Sequence, residues 1–194
     1  MLHTSGTNRS VALSNNRCRG FRPKLLGSIL VCGMVVFLDG RAFAQERSGF
    51  TILADLGVGI QNDTSIEETE VGLAGLNVGV GGFLTSELAL MFRLVSTGVS
   101  YEIGGLDYRQ VSGVGGAALQ YWVAERVNVE AGGGFGFWNG ADQDERGFGL
   151  ILGTGVTLWN RGKHNFQFGL QYAPAFTDPG TVHNVGFTVG YQFF

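Results

Sequence analysis

Three charged residues stand apart because the positions around them are otherwise glycine, amide or small hydroxyl: Asp55, Arg93 and Glu130. One guanidinium and two carboxylates facing a common enclosed space have two uses. They form a polar gate or ion path, or they neutralise one another as a structural plug. An unpaired buried charge is costly, which favours the plug. A second set is acidic and clustered between apolar segments: Asp63, Glu67, Glu68 and Glu70, then Glu102 and Asp107, then Asp142, Asp144 and Glu145. Such clusters bind a divalent cation or a basic partner. Asp142-x-Asp144-Glu145 is too short for a calcium loop and lacks its remaining ligands, so solvated loop tips are the plainer reading. A third set is His164 and His183. Hydrolytic chemistry needs a nucleophile beside one of them, and Ser65 is the only near candidate. The expectation is no catalytic residue, no metal and no cofactor.

The elements that position these groups are strands. Eight segments alternate large apolar with small or polar residues, at the period of two that marks a β-strand with one oily face: residues 50–61, 71–82, 87–97, 108–123, 127–138, 148–159, 165–173 and 185–194. In the second, Ala74, Leu76, Val78 and Val80 oppose Gly75, Asn77, Gly79 and Gly81. In the third, Leu88, Leu90, Phe92 and Leu94 oppose Ala89, Met91, Arg93 and Val95. In the last, Val185, Phe187, Val189, Tyr191 and Phe193 form the oily face, and Phe194 follows one position beyond the alternation. Connections alternate in length, with long polar stretches at 62–70, 98–107 and 139–146 and short turns between. Each segment reaches the ~9–11 residues that a tilted strand needs to cross hydrocarbon.

The polar faces decide which side meets water. A solvated face should carry charge at roughly a quarter to a third of its positions. Here only Asp55, Arg93 and Glu130 are charged away from the strand ends. Small residues and amides suit a narrow lumen. The oily face, with Phe50, Tyr121, Trp159, Tyr172 and Tyr191 near its ends, then faces lipid. These features imply an all-β fold, an eight-stranded antiparallel up-and-down transmembrane β-barrel.

The N-terminal segment is different. Arg9, Arg17, Arg19, Arg22 and Lys24 precede an uncharged run of 14 residues, 25–38, and then Ala42-Phe43-Ala44. A basic head, an apolar core shorter than the ~20 residues of a spanning helix, and A-x-A together predict a cleaved secretory signal. The expected organisation is a signal peptide at 1–44 and a barrel at 45–194. Cleavage after Ala44 leaves Gln45 first. Both cysteines, Cys18 and Cys32, fall before the cut, so no disulfide is expected in the barrel. The remaining chain has seven basic and 15 acidic residues, a formal −8. That balance argues against nucleic acid, which requires a basic face. Glycine is abundant, 33 of 194 residues, without a collagen-like period.

A signal sequence, eight strands, acidic outer loops and a terminal Gly190-Tyr191-Gln192-Phe193-Phe194 resemble the small outer-membrane barrels of Gram-negative bacteria: the OmpA membrane domain, OmpX and the opacity-type surface proteins. The resemblance implies residence in the cell outer membrane after export through the periplasm. Its implied partners are outer-membrane lipid, lipopolysaccharide and the barrel-insertion machinery. Val185, Phe187, Val189, Tyr191, Phe193 and Phe194 would carry the insertion signal. Function then lies in membrane integrity or in outer loops that meet a host or extracellular ligand, as in adhesion. Some barrels of this size modify lipid, but the His-x-Ser motif of lipid A deacylases is absent, since Asn184-Val185 follows His183. A narrow conduit for small apolar molecules is the third reading.

Overall fold

The computed structural model describes residues 47–64, 68–103, 106–140, 143–178 and 180–194. Ala42, Ala44 and Gln45, where signal cleavage is expected, lie outside the described residues, as do Ser65, Glu67 and Asp142.

Alternating sequence and abundant β-branched and aromatic residues give nine strands: β1 (Phe50–Asp63), β2 (Glu68–Phe83), β3 (Leu88–Ile103), β4 (Leu106–Ala124), β5 (Val127–Gly140), β6 (Gln143–Arg161), β7 (His164–Tyr172), β8 (Ala175–Phe176) and β9 (Thr181–Phe193). Each pairs antiparallel with its neighbour, and β9 closes the ring on β1 from Ile52↔Phe193 to Asp63↔Val182. The two-residue β8 continues β7. Leu152↔Tyr172 and Gly149↔Ala175 share one register across Ala173-Pro174. Pro174 has no N–H for the ladder, though its carbonyl accepts from Leu150 N at 3.1 Å. Among the described residues the wall therefore has eight staves, and none of them leaves a strand edge open.

The oily face points outward. Phe92, Leu56 and Val58 are more than half exposed, whereas Arg93, Met91 and Asn77 are sealed inside. Two features of the sequence reading are corrected. The stretches read as long polar loops are mostly ribbon: the ladder runs to Asp63↔Glu68, Ile103↔Leu106 and Gly140↔Gln143. Toward the ribbon tips the exposed positions are polar as well, as at Thr64, Thr69 and Asp144, so hydrophobic alternation fades while backbone pairing continues. Ala74 is also buried inside, not on the oily face. Between Ala74 and Val78 the ladder to β3 slips by one residue, and the matching slip toward β1 falls opposite Leu56. The extra residue in β2 switches its phase. Val71 and Leu73 point out before the switch, and Leu76, Val78 and Val80 point out after it.

The lumen holds more than glycine and amides. Leu53, Ala89, Met91, Trp122 and Phe194 cluster at the terminal end of the barrel, where β1 begins and β9 ends. Val95, Val114, Ile151, Ala173 and Ala175 cluster toward the opposite end. Where β4 and β5 pair at Gly116↔Gly134, a Cβ on either glycine would sit 2.6 Å from the other's Cα. Only glycine permits that approach.

Candidate functional site

Strands β1, β3 and β5 each present one charged side chain to the lumen, and the structure brings the three together. Arg93 Nε donates to Glu130 Oε1 at 2.8 Å, and an Arg93 terminal nitrogen donates to Asp55 Oδ2 at 3.3 Å. Arg93 and Asp55 are 1% exposed and Glu130 is 8% exposed. Planar guanidinium suits this task, because its fork reaches two carboxylates at once. Gln171 Nε2 also donates to Asp55 Oδ2, at 3.1 Å, and Asn77 Nδ2 donates to Gln171 Oε1 at 2.9 Å. Asn77 Oδ1 accepts from Ser96 N at 2.8 Å, which ties the charged layer to the wall. Asp55 leans over Gly190 so closely that a Cβ there would collide with its carboxylate.

Amide layers lie on both sides of the charges. Toward the termini, Gln192 Nε2 donates to Gln120 Oε1 at 2.8 Å and to Thr51 Oγ1 at 3.1 Å. Gln120 Nε2 donates to Asn128 Oδ1, and Asn128 Nδ2 donates to Gln167 Oε1. Toward the other end, Ser112 Oγ lies 2.6 Å from Asn184 Oδ1 and 3.0 Å from Gln61 Oε1. Asn184 Nδ2 donates to the Ala173 carbonyl. A cavity beside Arg93, Glu130 and Gln120 has about 10 Å³ of free space, room for about one water.

Below these layers an aromatic floor closes the mouth near the termini. Phe194 is 3% exposed and points inward, unlike Phe187, Val189 and the other odd-numbered residues of β9. Its ring meets Phe83 at 5.7 Å and Trp122 at 6.2 Å, edge-on in both cases. Arg47, which precedes β1, lays its guanidinium 4.8 Å from the Trp122 ring centre and 5.6 Å from that of Phe194. Burial pulls Arg47 below the usual guanidinium range, and the nearby carboxylates of Glu125 and Glu87 act in the opposite sense. Sequence reasoning missed this floor. The available signal was parity: Trp122 and Phe194 both fall on the lumen side of their strands.

His164 and His183 lie on the outer surface and take no part in the ion network. His164 opens β7, and its Nδ1 is 2.5 Å from the Tyr191 hydroxyl. His183 Nδ1 is 2.7 Å from the Tyr172 hydroxyl, with the rings stacked. Among the described residues, no group of three or more His, Cys, Asp or Glu is arranged to hold a metal ion.

The geometry has counterparts among solved structures. Neisserial surface protein A matches with a TM-score of 0.57 at 15% identity, covering 75% of this chain and 97% of that one. The attachment invasion locus protein Ail of Yersinia pestis, in complex with the heparin analogue sucrose octasulfate, matches with a TM-score of 0.55 at 14% identity, covering 75% and 99%. No protein-family model matches the chain, and no curated protein matches it. At these identities the likeness is one of fold: the chain has the architecture of the small outer-membrane β-barrels.

Proposed function

We propose that the chain is a non-enzymatic outer-membrane protein of a Gram-negative bacterium, with residues 1–44 its cleaved signal and residues 45–194 its barrel. On this reading it serves membrane integrity or adhesion through its outer ribbons. The observation that carries it is the combination of an apolar outer belt with a lumen filled by paired charges and amides. A filled lumen leaves no room for a substrate, so function moves to the surface. Strands β4 and β6 are 19 residues long, well beyond the ~9–11 that cross hydrocarbon. Their excess length lifts the ribbons clear of the membrane on rigid supports. Short turns then lie in the periplasm with both termini, as in barrels of this kind. Asp55, Arg93 and Glu130 form the structural ion network. Val185, Phe187, Val189, Tyr191 and Phe193 supply the outward face of the insertion signal. Phe194, also counted in that signal, turns to the floor once the barrel has closed.

The ribbons carry Asp63, Glu70, Asp144 and Glu145. That charge favours a basic extracellular partner over a sulfated one. Trimming the β1–β2 and β5–β6 ribbons while keeping the belt should abolish binding to host cells. Unchanged binding would remove the adhesion reading. For the lipid-modifying alternative, lipid A from strains with and without the gene should give the same mass spectrum; an altered acyl pattern would restore an enzyme.

A further inference from the structure

Residues 47–49, like Phe194 at the other end of the barrel chain, belong to the floor but not to the strand ladder. Two hydrogen bonds to the described residues hold them: an Arg47 terminal nitrogen donates to the Glu125 carbonyl at 2.7 Å, and Phe83 N donates to the Gly49 carbonyl at 2.9 Å. The rest of their hold is the contact of the guanidinium with Trp122 and Phe194. Gly49 has φ +81°, a left-handed conformation that turns the chain inward from β1. A Cβ at Gly49 would meet nothing within 4 Å, so conformation alone requires glycine there. Two buried donors under the segment, Arg47 Nε and Trp122 Nε1, have no partner. Closure thus leaves two N–H groups dry, and opening would give both to water. The surrounding wall also holds unpartnered buried groups, such as Trp138 Nε1 and Asn165 Nδ2, but there the backbone pairing is continuous from strand to strand and resists opening.

We propose that residues 47–49 are a strap that opens and closes the terminal mouth of the lumen, hinged at Gly49 and latched by Arg47 between Trp122 and Phe194. When the latch is released, small polar solutes reach the floor and the Thr51–Gln120–Gln192 layer above it. The charged layer of Asp55, Arg93 and Glu130 stays sealed. This rests on the membrane-barrel reading, since that reading makes the mouth face the periplasm.

The test is acrylamide quenching of Trp122 in detergent-folded protein carrying Trp138→Phe and Trp159→Phe. The parent should show strong protection relative to the same protein in urea. Arg47→Met should lose most of that protection. Gly49→Ala, which touches no side chain and strains only the hinge, should lose part of it. Gly49→Ala decides the matter if Arg47→Met does not fold. A parent Trp122 quenched as freely as in urea, or a Gly49→Ala protein as protected as the parent, would overturn the strap. Each protein is first run unheated and heated on a gel. A parent with no heat-dependent shift would instead overturn the barrel reading, so the two failures are distinct.

Discussion

Arg93 is the residue on which the lumen's charge depends. It has two carboxylate partners and almost no contact with water. Removing one member of a buried ion cluster leaves the others charged and unpaired, at a cost of about 3–5 kcal/mol. Arg93→Met should therefore lower stability to urea by roughly that amount in micelle-folded protein. The triple change Arg93→Met, Asp55→Asn and Glu130→Gln should recover most of the loss, since no charge is then stranded. Failure to recover would mean that the three groups hold the wall in register beyond their charges. The lumen's glycines are graded in the same way. Gly190→Ala drives a methyl into Asp55 and should destabilise by about 1–3 kcal/mol, as overpacking does. Gly153→Ala, whose Cβ would meet nothing nearer than 3.6 Å, should change the urea midpoint little. Three charges on small-residue faces were legible in the sequence, because parity alone sends them inward. The partnership with Gln171 and Asn77 was not, because it depends on how far the strands are staggered around the ring.

At the scale of the element, β2 shows what alternation gives and what it hides. Its large residues fall on odd positions at Val71 and Leu73 and on even positions at Leu76, Val78 and Val80. The switch falls among Ala74 and Gly75, small residues that fit either face, and so a single unbroken phase was read through it. Deleting Gly75 removes the extra residue and leaves Val71, Leu73, Leu76, Val78 and Val80 on one face in unbroken alternation, with the registers to β1 and β3 made continuous. That variant should therefore still give a heat-shifted band, and its loss would mean that the bend made by the bulge is itself needed to close the ring. The outer ribbons were illegible for a different reason. Hydrophobic period reports on a boundary between oil and water, and above the belt there is none. Pro174 makes a third case. It interrupts the β7–β8 stave without altering register, so the loss is a single N–H. Pro174→Val returns that donor to the ladder with β6, and should raise stability to urea by about 0.5–1.5 kcal/mol, the net worth of one hydrogen bond. A fall in stability would mean that proline's fixed φ contributes more to this stave than the donor it lacks.

For the whole molecule, a closed ring and a filled lumen have separate consequences that one preparation can test. Closure means that no stave can leave without breaking two ladders, so unfolding should be cooperative and slow. Unheated protein should run on a gel as a compact species distinct from the boiled chain. Filling means that the ring is a barrier as well as a wall. The path from one end to the other crosses the Gln61–Ser112–Asn184 layer, the charged layer, the Thr51–Gln120–Gln192 layer and the aromatic floor. Opening the strap removes only the last of these. Vesicles containing the protein should thus swell in small sugars no faster than empty vesicles, and Arg47→Met should not change that rate. Swelling in the parent would refute the sealed lumen. Swelling in Arg47→Met alone would place the seal in the floor rather than in the charged layer, and the ion network would then have to be read as a path instead of a plug.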